Sequence, residues 1–323
     1  KKIGLTALAA SLVSVSAHAG EMSVAGSASL NVEGFSGEEL NAGKGYTMAN
    51  QLTFTGSGEL DNGLTVSLSF VQDNGESTFD SHSLTISSDT MGTLKFLGEG
   101  GSTAANAIDG SAAGDIWDKF DGLTNAMAIG NHGMAATTDS NTATAGDNAF
   151  MYTSPELMEG LTLTGSYAPQ ASSSETRASG TGFGLNYTGI EGLTLAYANA
   201  DIVNSTKALS GDQTVMEASY AYGPVTASYS KWESDVDTAD KDMEVSSFAI
   251  SYTVSDELSV TYGMEEMDYE GSSTDAEYES VSVSYVTGGM TITAGMHEAE
   301  NANFDTDSHS DIEKWTLGAS FAF

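Results

Sequence analysis

Aspartates recur at every third position within the segment GDIWDKFDGL, between Gly114 and Leu123. At about 100° per residue, a short helix would place the aspartates on one side and the apolar residues on the other. The aspartates are Asp115, Asp118 and Asp121, and the apolar residues are Ile116, Trp117, Phe120 and Leu123. Carboxylates grouped in a narrow, low-dielectric space concentrate cations and repel anions. The segment therefore predicts a cation-attracting surface whose apolar side attaches to a wall.

A second interpretation of these acids stays open. Asp115 could be the N-cap of the short helix, with the other aspartates as ordinary solvated surface acids. Asp109 lies in the same stretch and is a further candidate for the charged surface.

The remaining reactive residue types form no catalytic pattern. The histidines His82, His132, His297 and His309 are scattered without the pairing of a metal site. Two acidic groups could hold Ca²⁺ or Mg²⁺ weakly but lack EF-hand spacing: Asp235, Asp237, Asp240 and Asp242, and Asp305, Asp307 and Asp311. No nucleophile elbow is present, so we expect neither an enzyme nor a tightly bound cofactor.

Turn signals followed by alternating strands dominate the rest of the chain. Seven such phrases occur, among them GLTVSLSF from Gly63, MGTLKF from Met91 and GLTLTGSY from Gly160. Apolar residues alternate in them with Ser, Thr, Gly and Ala, which separates the two types onto opposite strand faces. With two strands for each turn, the pattern predicts an all-β, antiparallel, up-and-down barrel of sixteen strands.

One interval between turns is twice the usual length. It leaves about 50 residues, 98–147, between the fifth and sixth strands, and this interval contains the aspartate segment. A loop of this length in a compact fold is usually either functional or disordered.

Aromatic residues indicate which solvent surrounds the barrel. Tyr152, Tyr187 and Tyr222 end strands at one height, and Tyr167, Tyr197 and Tyr229 suggest a second row. Such rows mark the two lipid boundaries of a transmembrane barrel. The mean hydropathy of −0.16 agrees with strands that are apolar on one face only.

The first residues predict export. Lys1 and Lys2 precede an apolar stretch and an Ala17-His18-Ala19 cleavage pattern, so we expect residues 1–19 to be a signal peptide and residues 20–323 to be the barrel domain. The chain has no cysteine, and its formal net charge of −35 excludes a nucleic-acid surface and favours cations as partners.

Several phrases together resemble the Gram-negative general porins. They are MGTLKF, NAFMYTSPELMEGLTLTGSY from Asn148, and the closing WTLGASFAF. The resemblance implies a sixteen-stranded homotrimer in the cell outer membrane, surrounded by lipid and lipopolysaccharide, with the long third loop folded into the barrel as a constriction. It also implies that Phe323 is the signal read by the barrel assembly machinery.

The resemblance further implies basic wall residues opposite the loop acids. Many family members have an arginine cluster there, but the only arginine of this chain is Arg177, in a predicted loop. Lys95 is the best basic candidate and Lys314 the second.

The predicted function is a diffusion porin for small hydrophilic solutes and ions. It would sieve by size and prefer cations through Asp109, Asp115, Asp118 and Asp121. The alternative is a secreted or surface-attached acidic β-rich adhesin or structural protein. A barrel enzyme would need a polar catalytic set, which the sequence does not provide.

Overall fold

The computed structural model describes most of the chain from Met22 to Phe323. The described residues are 22–37, 44–73, 81–99, 103–108, 110–120, 148–169, 179–203, 210–237, 239–304, 306 and 310–323. The predicted signal peptide lies outside them. Short 3₁₀ helices at Trp117–Phe120 and Ala302–Phe304 interrupt the β structure. None of the helices in these ranges is long and apolar enough to cross a membrane.

Sixteen strands account for nearly all the regular structure. They are β1 Met22–Gly37, β2 Lys44–Glu59, β3 Thr65–Asp73, β4 Ser81–Ser88, β5 Gly92–Glu99, β6 Ala149–Thr153, β7 Leu161–Ala168, β8 Ser179–Ile190, β9 Leu193–Val203, β10 Gly211–Tyr222, β11 Val225–Val236, β12 Met243–Ser255, β13 Leu258–Tyr269, β14 Ala276–Thr287, β15 Met290–Glu300 and β16 Ile312–Ala322. The predicted number of strands is confirmed.

The strands form one closed antiparallel barrel. Each pairs with its neighbour in sequence, and β1 pairs with β16 from Ser27↔Ala322 to Gly37↔Ile312. At the seam the Phe323 N–H donates to the Gly26 carbonyl at 2.9 Å, and the Gly26 N–H donates to the Phe323 carbonyl at 2.7 Å. Closure leaves no unpaired strand edge, which a lipid environment requires.

Glycine at the short turns allows the tight reversals. Gly192 has a φ of 77°, and a Cβ there would lie 2.3 Å from the Ala221 carbonyl oxygen. An L-residue is unfavourable in this left-handed conformation and would also clash with the next strand. The turn phrases recognised in the sequence thus reflect a backbone requirement.

The outer face near the short turns is apolar and bordered by aromatic residues. Exposed aliphatic side chains cover it on every side, including Leu52, Leu68, Leu84, Leu195, Ile250 and Leu317. Tyr152, Tyr222, Tyr252 and Tyr285 are exposed at the turn end of this surface. A surface of this kind matches lipid rather than water.

Towards the loop end, the polarity of the two faces reverses. Along β13 the outward residues change from Tyr262 and Met264 to Glu266 and Asp268, while the inward residues become Met267 and Tyr269. Neighbouring strands repeat the change, so acids face acids across the ladder in the pairs Glu233↔Glu244, Glu244↔Asp268, Glu266↔Glu277, Glu279↔Glu298, Glu298↔Glu313 and Asp212↔Asp235. We call these outward acids the outer acidic ring. Such charge does not fit lipid tails, so the ring lies beyond the apolar band.

Candidate constriction site

Part of the long loop lies inside the barrel against its wall. We call residues 103–108 and 110–120 the inner segment. Three wall serines accept its backbone N–H groups: Ala104 donates to Ser166 Oγ at 2.8 Å, Ala112 to Ser230 Oγ at 2.7 Å and Ala113 to Ser247 Oγ at 2.8 Å. These serines belong to β7, β11 and β12, so the segment runs along one wall of the barrel from β7 to β12.

Small wall residues let the inner segment approach closely. A Cβ at Gly182 would lie 3.1 Å from Ala104 Cβ, and a Cβ at Gly263 would lie 2.8 Å from Ala113 Cβ. Both distances are shorter than an ordinary carbon contact of about 3.5 Å. The two glycines therefore make recesses that the loop alanines occupy.

Glu265 holds the turn that precedes the 3₁₀ helix. Its Oε2 accepts the Trp117 N–H at 3.1 Å, its Oε1 accepts the Ser247 hydroxyl at 3.2 Å, and it accepts the Ser111 hydroxyl. Ser111 Oγ itself accepts the Asp115 N–H at 2.6 Å. The wall, through Glu265, thus supplies the cap of the short helix.

Apolar contacts fix the other side of the inner segment. Ile116 and Phe120 are completely buried, and the Phe120 ring lies 5.9 Å from the Tyr278 ring of β14. Trp117 packs against the same cluster while partly buried. The wall side of the cluster consists of Met243, Val245, Met267, Tyr269, Ala276, Tyr278, Ala299, Ala302 and Ile312. Ile116, Trp117 and Phe120 therefore all contact the wall cluster, whereas Leu123 lies outside the described residues.

Two of the candidate aspartates are exposed at the turn. Asp115 and Asp118 lie on the surface of the inner segment, with Asp115 in a left-handed conformation at φ 48°. Asp109 and Asp121 lie outside the described residues. Within the described residues, the helix predicted over 114–123 begins only at Trp117, as a 3₁₀ turn, because Gly114 and Asp115 before it are left-handed.

A lysine shares the turn with these carboxylates. Lys119 Nζ donates to the Gly114 carbonyl at 2.9 Å and to the Asp115 carbonyl at 3.3 Å. Burial lowers the pKa of Lys119 below the ordinary lysine value, although Glu265, Asp115 and Asp118 act in the opposite direction. The ammonium group thus places a partly desolvated positive charge beside the exposed acids.

The wall beyond the helix carries an ion pair and a histidine. Lys314 of β16 is buried, and its Nζ donates to the Lys119 carbonyl. The same Nζ lies 2.8 Å from Glu33 Oε2 of β1. His297 is also buried: Nδ1 lies 2.8 Å from Ser280 Oγ, and Nε2 lies 3.0 Å from Thr316 Oγ1. Both His297 ring nitrogens therefore have hydroxyl partners, as in a structural histidine.

The wall of β1 to β5, away from the inner segment, is mainly hydroxylated. Lys95 shares the inward face of β5 with Thr93 and pairs across the ladder with Thr85 and Met151. The other inward residues at these strands include Ser27, Ser29 and Asn31 on β1, Gln51, Thr53 and Thr55 on β2, Ser67 and Ser69 on β3, and Ser83 on β4. The charged residues at described inward positions of β1 to β5 include Lys95, Glu33, Glu59 and Asp73, of which Asp73 pairs with Gln51 and Glu59 with Thr65.

Sequence reasoning missed the residues that hold the inner segment. Glu265, Ser230, Ser247 and the recess glycines look like ordinary members of alternating strands. One signal was available for Glu265: it is followed directly by Glu266, and adjacent strand residues face opposite sides. One of these two acids had to point into the barrel. Glu217, on the inward face of β10, was missed in the same way.

No described group of three or more His, Asp or Glu side chains has a geometry that could hold a metal ion. This survey includes Asp235, Asp237, Asp240 and Asp242, whereas Asp305 and Asp307 lie outside the described residues.

A closed barrel with an apolar outer band and a loop segment docked inside is the architecture of an outer-membrane pore. The chain belongs to the Gram-negative porin family, whose model matches residues 4–323. No curated protein sequence matches it.

Solved structures share the fold at low sequence identity. A loop L8 deletion mutant of OmpT, an outer membrane protein of Vibrio cholerae, aligns with TM-score 0.70 and 13% identity over 94% of this chain and 99% of that chain. OmpF of Salmonella typhi, in complex with daunomycin, aligns with TM-score 0.68 and 13% identity over 94% and 98%. A mutant of Rh. blastica porin gives TM-score 0.65 and 13% identity over 94% and 100%. Family and fold together make this chain a transmembrane β-barrel and diffusion pore of the outer membrane.

Proposed function

We propose that this pore passes small hydrophilic solutes and ions, sieves them at the inner segment and prefers cations. The observation that carries the proposal is the docked segment itself. Its apolar residues and backbone donors are directed to the wall, and Asp115 and Asp118 remain exposed on its surface. Carboxylates fixed beside a confined aqueous path attract cations and repel anions.

The charge balance of the described inward residues supports this sign. The acids include Asp115, Asp118, Glu217, Asp73, Glu59 and the buried Glu265, against the bases Lys95 and Lys119, while Glu33 and Lys314 pair with each other. Asp109 and Asp121 are further proposed members of the acidic set. This arrangement fits a size-selective pore with an excess of negative charge better than a pore with a strong electric field between opposed rows of acids and arginines.

We extend the proposal to assembly and partners. The chain would form a homotrimer in outer-membrane lipid and lipopolysaccharide, inserted by the barrel assembly machinery through Phe323. It would act without catalysis and without a cofactor, apart from weak Ca²⁺ or Mg²⁺ binding at acidic loops. A soluble acidic adhesin would instead need a polar outer surface, whereas here the outer band is apolar.

Planar-bilayer recording in a salt gradient tests the cation preference. A carboxylate interacts with a cation at about 4 Å by about 1 kcal/mol even in bulk water. The double variant Asp115→Asn/Asp118→Asn should therefore lower the cation-to-anion permeability ratio several-fold. Glu266→Gln/Glu298→Gln removes two charges from the outside of the barrel and is the matched control. Equal effects of the two variants would contradict selection at the inner segment, and absence of conductance steps from folded protein would contradict the pore.

A further inference from the structure

Glu265 differs from every other acidic side chain in the described part of the chain. It is 2% exposed, and the other described aspartates and glutamates are at least partly accessible. It lies on the inward face of β13, two residues beyond the recess at Gly263. A charge removed from water at this cost needs several donors around it.

The donors around Glu265 come mainly from one turn of the loop. The Trp117 N–H group donates to it directly. The Asp115 N–H reaches it through the Ser111 hydroxyl, and the Ala113 N–H through the Ser247 hydroxyl. Three backbone donors between residues 113 and 117 therefore converge, directly or through one hydroxyl, on one carboxylate.

Backbone N–H groups of one turn that converge on a common acceptor stabilise an anion there, as in a backbone nest. Here the anion is part of the wall. Buried N–H groups without acceptors are unfavourable, and hydrogen bonds to an ionised acceptor are about twice as strong as neutral ones. The turn is therefore most stable when the Glu265 oxygens accept its donors.

We infer that Glu265 is the positioning residue of the constriction: its carboxylate fixes the turn that presents Asp115 and Asp118 to the lumen. The inference rests on the proposed function, because it assigns the residue that holds the selective segment in place. The serine contacts at Ser166 and Ser230 are neutral and bind one or two backbone groups each, whereas Glu265 holds three, directly or through one hydroxyl.

Two variants test this role. Glu265→Ala removes every acceptor, and Glu265→Gln keeps the shape but replaces one acceptor oxygen by a donor that faces other donors. Glu266→Gln, the next residue on the same strand, changes an outward acid in the same way and is the matched control. All variants also carry Trp232→Phe and Trp315→Phe, so that Trp117 is the only tryptophan of the chain.

Acrylamide quenching of Trp117 fluorescence in folded, detergent-solubilised protein reports loop docking without any ion flow. Loss of one hydrogen bond to a charged group should raise the undocked population at least about tenfold. Quenching should therefore rise in Glu265→Ala, rise less in Glu265→Gln and stay unchanged in Glu266→Gln. In bilayers, the first two variants should show noisier current and admit larger neutral polymers.

Unchanged quenching in folded Glu265→Ala and Glu265→Gln would overturn the inference, even if the pore conducts and prefers cations. Increased quenching in a protein without conductance would support the loop role and reject the pore function, so the two failures are distinguishable. If Glu265→Ala does not fold, Glu265→Gln and Ser111→Ala are compared, singly and combined, by the same quenching measurement. Because the two side chains belong to one network, the double variant should differ little from the stronger single variant. Additive effects on quenching would overturn the shared network.

Discussion

Replacement of Gly263 by alanine should displace the inner segment while leaving the barrel intact. The new Cβ would lie 2.8 Å from Ala113 Cβ and 3.4 Å from Ile116 Cδ1. Carbon atoms in contact prefer about 3.5–4.0 Å, so one side must move by about 1 Å. Gly263 is paired on both sides, with Ala249 of β12 and Ser280 of β14, so the loop rather than the strand should yield.

The expected cost follows from the contacts that this movement breaks. The hydrogen bond from the Ala113 N–H to Ser247 Oγ is 2.8 Å long, and a shift of about 1 Å exceeds the usual limit of about 3.2 Å. Overpacking of this kind costs about 1–3 kcal/mol. The population of undocked loops should therefore increase by about 5- to 150-fold.

Hydrogen exchange measures this local free energy directly. Amides between residues 110 and 120 should lose protection by that factor, while amides of β12 to β14 should keep theirs, because the loop opens independently of the sheet. Gly165→Ala is the control, since the nearest atom to its new Cβ is 4.0 Å away. Equal protection of the loop in the wild type and in Gly263→Ala would refute the idea that the recess holds the segment.

Two further outcomes follow from the structure. Because burial lowers the pKa of Lys119, this lysine loses its charge at a lower pH than a free lysine, so cation preference should rise as pH increases into the alkaline range. Lys119→Met should show the higher cation preference already at neutral pH, and its reversal potential should depend less on pH. An unchanged pH dependence would contradict the assignment of this titration to Lys119. Phe323→Ser keeps both backbone hydrogen bonds to Gly26 and removes only the terminal ring. It should therefore lower the amount of barrel in the outer membrane of cells. Refolding in detergent should stay unchanged. Equal losses in both measurements would show that the ring serves stability rather than recognition.

The barrel could be predicted from sequence because its determinants are local and repeated. Turn glycines such as Gly192 require left-handed backbone, and each adjoining strand alternates between lipid and water. Both signals recur along the chain, so an error in one hairpin hardly affects the count of strands. The double interval between β5 and β6 similarly revealed that an extra segment exists.

The wall residues that hold that segment could not be predicted, since they lie far from it in sequence. Ser111 and Glu265 are separated by 154 positions, and Ala113 and Ser247 by 134. Serine and glycine at inward positions are equally suitable for a water-filled lumen, so Ser247 and Gly263 carry no signal until the loop is placed against them. The amphipathic pattern of Ile116 and Phe120 indicated a wall contact, but it could not identify which strands form the wall.

The net charge of the whole chain is a poor guide to selectivity. Many of the described acids belong to the outer acidic ring, where Glu298, for example, faces Glu279 and Glu313 on the outside of the barrel. At physiological ionic strength such charges are screened within about 8 Å. The charges that act on a permeating ion are the few that the inner segment and the facing wall place beside its path. Under the proposed function, selectivity depends on how firmly the wall holds Asp115 and Asp118, and we infer that Glu265 and Gly263, rather than acidic composition, determine this.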